Sequence, residues 1–115
     1  MTARKFDIKL EQGASFVMTL IYKDAEGVPI DVTGSDARMQ IREAAGGRIF
    51  ASADIANGRI TLAAGGKITV QIPYAETAKV QVQRGVYDLF LISPSGTHAE
   101  RLIYGDVLIN ASITR

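Results

Sequence analysis

Apolar and polar positions alternate with a period of two along most of this chain, and turn-forming residues interrupt the alternation about every 8–12 positions. In Lys67–Ile72, the residues Ile68, Val70 and Ile72 point one way while Lys67, Thr69 and Gln71 point the other. Ala37, Met39 and Ile41 alternate with Arg38, Gln40 and Arg42 in the same manner, and Ile60 and Leu62 with Arg59 and Thr61. Near the end, Val107, Ile109, Ala111 and Ile113 alternate with Leu108, Asn110, Ser112 and Thr114. At the other end, Phe6, Ile8 and Leu10 share a face opposite Lys5, Asp7 and Lys9. Two runs, Ser15–Tyr22 and Val86–Ile92, are apolar on both faces. Such a strand is covered on both sides by its own chain or is touched by another one. Cover by the protein's own loops is the first expectation.

The interruptions predict hairpins at Asp24–Gly27, Gly46-Gly47, Gly65-Gly66 and Ser93–Gly96, where glycine and proline supply the backbone geometry of tight turns. Gly105-Asp106 reads as a bulge between two short strands. Only Tyr74–Ala78, after Pro73, suits a helical turn. The pattern predicts an all-β, antiparallel Greek-key sandwich of the immunoglobulin-like (Ig-like) kind, with about eight or nine strands and at most one short helical turn. Arg84-Gly85-Val86-Tyr87 supports that class. Gly85 is expected to provide a bend, and Tyr87 to place its ring in the core with its hydroxyl on backbone across the corner. Residues 1–115 form a single domain on this reading, since no repeat, linker or low-complexity segment divides them, and the length suffices for one core.

Composition narrows the chemistry. Without cysteine there is no disulfide, thiolate metal site or cysteine nucleophile. Thirteen basic and twelve acidic residues, interspersed, give a net charge of +1. Nucleic-acid binders carry a basic surplus, so no nucleic acid is expected as a partner. No apolar run reaches membrane-spanning length and the N-terminus lacks a signal-peptide core, so no membrane partner is expected and synthesis belongs in the cytoplasm. His98, the single histidine, sits in a polar turn with Ser95 and Glu100 and reads as a surface residue rather than a general base. Asp24, Glu26 and Asp31 surround Gly27, but Val28-Pro29-Ile30 breaks any calcium-loop spacing, so they read as a hydrophilic hairpin. Neither glycine pair opens a helix that could hold a phosphate. No catalytic residue, cofactor or metal site is therefore expected. Arg38, Gln40 and Arg42 form a polar ladder, read as a solvated face or as a patch for a partner's carboxylates and carbonyls.

The order of features across residues 6–115 carries a family resemblance. Glu11-Gln12-Gly13-Ala14-Ser15-Phe16 leads into an apolar strand, and Gly27-Val28-Pro29-Ile30-Asp31-Val32-Thr33-Gly34 follows a turn. Ala37-Arg38-Met39-Gln40-Ile41-Arg42, a glycine-rich hairpin, Gly85-Val86-Tyr87-Asp88-Leu89 and a closing Ile113-Thr114-Arg115 complete the series. This resembles small Ig-like structural proteins of tailed bacteriophages and the N-terminal domain of phage upper baseplate proteins. The resemblance implies a non-enzymatic virion component, made in the host bacterial cytoplasm and docking in several copies on other virion proteins in a symmetric assembly. Baseplate relatives continue into a helical stalk. No such stalk is expected here, and on that expectation the chain is an adaptor or accessory subunit on tail, neck or baseplate. A head decoration or fibre-adaptor protein, or a carbohydrate or cell-surface binding module, is the alternative; the lack of tryptophan weakens the sugar reading.

Docking by such a domain is expected at an open sheet edge. Residues 1–10 are the candidate docking strand, with Phe6, Ile8 and Leu10 as its contact face and Arg38, Gln40 and Arg42 as a second patch. Removing residues 1–10 is expected to abolish incorporation and to leave the rest folded.

Overall fold

The computed structural model describes residues 3–113. Met1, Thr2, Thr114 and Arg115, which belong to the candidate docking segment and the closing motif, lie outside the described residues. The chain forms β1 (Arg4–Lys5), β2 (Ile8–Glu11), β3 (Phe16–Ile21), β4 (Asp36–Arg42), β5 (Ile49–Asp54), β6 (Ile60–Ala63), β7 (Lys67–Ile72), α1 (Tyr74–Thr77), β8 (Arg84–Ile92) and β9 (Ala99–Asn110). One sheet has the order β1-β9-β8-β4-β5, with β2 following β1 along β9, and the other has the order β3-β7-β6. The expected all-β sandwich and its single helical turn are what the molecule adopts.

The alternation in sequence becomes the two faces of each sheet. Ala37, Met39 and Ile41 of β4, Tyr87 and Leu89 of β8, and Val107 and Ile109 of β9 turn inward. Met18, Ile60, Ile68, Val70 and Ile72 of the smaller sheet meet them. Val32 and Val80, from connections between strands, close the core at its margins. Each Val, Leu, Ile or Met among them contributes about 1.5–3 kcal/mol by leaving water. Thr77 is the buried polar residue among those described. Its hydroxyl donates to the Ala14 carbonyl at 2.8 Å and accepts from the Gly13 amide at 3.1 Å, tying α1 to the crossover between β2 and β3. Gln12 extends the clamp by donating to the Val80 carbonyl at 2.7 Å and accepting from the Ser112 amide at 2.9 Å.

The structure departs from the expectations at the N-terminal edge. All strand pairs are antiparallel except that β1 and β2 run parallel to β9. Ile8 and Leu10 stand beside Val107 and Ile109 and belong to the core, Leu10 at 1% exposure. They are packed within their own domain and cannot serve as a contact face for another chain. Phe6 leaves their face because the strand breaks at Phe6-Asp7, and it is 48% exposed.

Gly105 explains where the break falls. It is not a bulge between two strands, since β9 runs unbroken through it and the register irregularity lies opposite Leu89 and Phe90. A Cβ on Gly105 would stand 2.5 Å from the Phe6 carbonyl oxygen and 2.8 Å from the Asp7 carboxylate, so the missing side chain admits the kink. The Tyr87 hydroxyl donates to that same Phe6 carbonyl, and the Asp106 amide donates to Asp7 Oδ1 at 2.9 Å. Tyr87 does place its ring in the core and its hydroxyl on backbone, but it anchors the distant N-terminal strand rather than the corner it leaves. Gly85 makes no bend either. It lies buried inside β8, where a Cβ would be 2.7 Å from the Arg42 carbonyl oxygen, and its role is to let β4 approach. The final strand also stops early, at Asn110, leaving Ile113 fully exposed.

Candidate functional site: the concave face of the larger sheet

The residues of β8 and β4 that do not face the core share the outer face of the larger sheet. Antiparallel register sets Arg38 opposite Phe90, Gln40 opposite Asp88 and Arg42 opposite Val86. On the other side of β8, Arg101, Tyr104 and Asp106 of β9 stand opposite Phe90, Asp88 and Val86. The polar ladder of β4 and the apolar outer side of β8 are thus one surface. Val86, Phe90 and Ile92 are half-buried on it, so the protein's own chain covers the outer apolar side of β8 only in part. The outer side of β3 is barer, with Val17 and Ile21 56% and 46% exposed on the outside of the smaller sheet.

The surface is a trough of about 680 Å³. Its floor is Val86, Phe90 and Ile92, half-buried between taller neighbours, and the β4–β5 hairpin at Ala45-Gly46 forms one wall. Its polar groups are held in place. Arg42 donates to the Gly47 carbonyl at 2.8 Å and through Nη2 to Gln40 Oε1 at 2.8 Å, which fixes the guanidinium plane against the wall. The Arg101 guanidinium lies over the Tyr104 ring at 4.2 Å and pairs with Asp88 at 3.5 Å. Arg38 reaches Asp36 at 3.6 Å, with its side chain 69% exposed. Cations outnumber carboxylates around the trough, and planar guanidinium groups there can receive carboxylates or carbonyl oxygens in bidentate fashion.

Of the residues singled out in the sequence, Arg38, Gln40 and Arg42 come together here. Phe6 lies at the kinked edge, Ile8 and Leu10 in the core, and Gly85 and Tyr87 on the inner side of β8. Asp88 entered the sequence reading only as part of the apolar run Val86–Ile92 and its motif, and Arg101 and Tyr104 were not singled out. The signal for the latter two was the alternation at the start of β9, which the irregularity near Leu102 shifts by one position, so that Leu102-Ile103-Tyr104 reads as a separate apolar strand.

The other sequence candidates are occupied locally. Asp24 Oδ1 accepts the amides of Glu26 and Val28, each at 2.9 Å, and so builds its own turn. Asp31 accepts from the amide and hydroxyl of Thr33, which holds its carboxyl below the usual aspartate range. His98 is exposed in the β8–β9 hairpin, its amide donating to Ser93 Oγ at 3.2 Å. Glu100 accepts the Tyr22 hydroxyl at 2.5 Å, joining the two sheets at one end. Among the described residues, no group of three or more His, Cys, Asp or Glu is placed to hold a metal ion, and no helix is long and apolar enough to cross a membrane. Compared with known proteins, the sequence matches no family model and no curated protein.

Proposed function

We propose that this protein is a non-enzymatic docking subunit of a tailed-bacteriophage virion, an adaptor on tail, neck or baseplate, and that it binds its partner through the concave face of the larger sheet. The observation that carries the binding reading is the trough itself. An apolar floor of Val86, Phe90 and Ile92 lies beside immobilised guanidinium groups of Arg42 and Arg101, and an aromatic–arginine centre of this kind suits a protein interface. Arg42, Gln40, Arg101 and Asp88 are engaged in hydrogen bonds, an ion pair and stacking that position them for recognition. The assignment to a virion rests on the resemblance of the ordered motifs across residues 6–115, from Glu11-Gln12-Gly13 to the closing Ile113-Thr114-Arg115. The strand orders, with β1, β2, β9, β8, β4 and β5 facing β3, β7 and β6, support the Greek-key, Ig-like form of that reading.

Quantitative mass spectrometry of purified particles produced from the genome that encodes this chain tests the proposal. The expected result is the chain at a fixed stoichiometry in intact particles, and its loss from them on substitution Phe90→Asp with the variant still folded in solution. Intact, infective particles without the chain would refute the virion role. Retention of the Phe90→Asp variant would refute the trough as the contact. Binding of the isolated protein to glycans, lost on the same substitution, would favour a cell-surface binding module instead.

A further inference from the structure

The sandwich has four outer strand edges, and they differ in how they meet solvent. β1 and β2 are kinked at Phe6-Asp7 and carry Arg4, Lys5, Lys9 and Glu11. At β5, the outward Ser52 carbonyl accepts from Arg59 Nη1 at 3.0 Å, which blocks that edge. β6 is a short strand of four residues. Kinks, charges, capped carbonyls and short strands all discourage a foreign strand. β3 has none of these. Phe16–Ile21 is six residues long, uncharged, free of proline and in unbroken register with β7. Its other side pairs with no strand among the described residues.

Its register also fixes what it can pair with. The Tyr22 amide donates to Gly66 on the β7 side, so in the alternating antiparallel ladder the even-numbered residues of β3 bond to β7. Val17, Thr19 and Ile21 then direct their amides and carbonyls to the free edge, with their side chains on the exposed outer face. We infer that β3 is a self-association edge, at which a second copy of this chain adds antiparallel about a two-fold axis at Thr19. Each Thr19 exchanges both N–H···O bonds with the other. Val17 of one copy faces Ile21 of the second, and the reverse. The match is self-complementary as a two-fold interface requires. Apolar side chains left exposed in one copy cover each other, threonine meets threonine, and Lys23 falls opposite Ser15 rather than another lysine. Lys67, beside Ile21 on β7, is likewise kept from its own copy by the width of the two β3 strands. A net charge of +1 leaves little general repulsion between copies. The pairing joins the smaller sheets into one continuous sheet and leaves the trough on the opposite side of each sandwich free, so it stands whether or not the trough binds a partner.

Sedimentation velocity and amide hydrogen exchange, run from micromolar to millimolar protein, test the inference. The expected result is a monomer–dimer equilibrium in which the amides of Val17, Thr19 and Ile21 gain protection as concentration rises. Thr19→Lys and Thr19→Glu each place like charges face to face, and each is expected to weaken the dimer about fivefold. An equimolar mixture of the two variants restores it. A protein monomeric throughout, exchange at Thr19 independent of concentration, variants that dimerise as the wild type does, or a mixture that stays monomeric would each overturn the two-fold pairing at β3.

Discussion

β2 and β3 follow one another in the chain, separated by residues 12–15, and each ends as the edge of a different sheet. One edge is closed and the other is open. β2 buries Ile8 and Leu10 against β9, presents Lys9 and Glu11 outward, and is fixed at its start by Tyr87 and Gly105. β3 buries Met18, half-buries Phe16 and Leu20, and leaves Val17, Thr19 and Ile21 facing water. An apolar face in a strand therefore does not identify a docking strand. Ile8 and Leu10 are apolar because they complete the core, whereas Val17 and Ile21 are apolar on a face that the other described residues leave bare.

The contrast can be broken most severely by removing residues 1–10. Loss of Ile8, Leu10 and the parallel pairing opens the core along β9, against a total stability of about 5–15 kcal/mol for a domain. The truncated chain is expected to show no cooperative urea transition, followed by far-UV circular dichroism. This reverses the sequence-based expectation that the remainder would stay folded. Gly105→Val is next. Its Cβ would meet Phe6 and Asp7 backbone and carboxylate atoms inside 3 Å, and expulsion of the kink is expected to cost about 3 kcal/mol in urea denaturation.

Tyr87→Phe keeps the ring and removes the anchor, leaving the Phe6 carbonyl without its partner, at an expected cost of about 1–2 kcal/mol. It also changes the response to alkali. Burial, aided by the Asp7 carboxylate, raises the Tyr87 hydroxyl well above the ordinary tyrosine value of 10.0. The unfolded chain then gives up this proton first. The stabilisation is complete below about pH 10 and is lost as pH rises from there toward the folded value. The wild type is expected to lose stability more steeply than Tyr87→Phe above that pH. A residual slope persists in the variant, because hydrogen bonding to Glu100 pushes Tyr22 up to about 12. The smallest effect on stability, within about 0.5 kcal/mol, is expected for Lys9→Thr with Glu11→Thr. These exposed changes make the β2 edge resemble that of β3, and sedimentation velocity is expected to show new concentration-dependent association.

Much of this was legible in the chain. Ile68, Val70 and Ile72, or Ala37, Met39 and Ile41, announce their strands and inward faces because a pleated strand turns successive residues to opposite sides. The glycine pair at Gly65-Gly66 announces its turn, and both residues do take positive φ. Half of the trough was legible too, as the ladder Arg38, Gln40 and Arg42. The half supplied by β9 was hidden, since an irregularity near Leu102 breaks the parity on which such readings depend.

The sequence by itself determined the fold class, the inward face of most strands and the absence of cysteine chemistry, all of which are set by local residue order and composition. Tertiary structure alone decided that the N-terminal strand runs parallel to β9, that Phe6 parts from Ile8 and Leu10, and that Tyr87 reaches a carbonyl 81 positions away. It alone decided which apolar face the described residues leave uncovered. Partners far apart in the chain leave no periodic trace near either residue, and exposure is a property of what arrives from elsewhere.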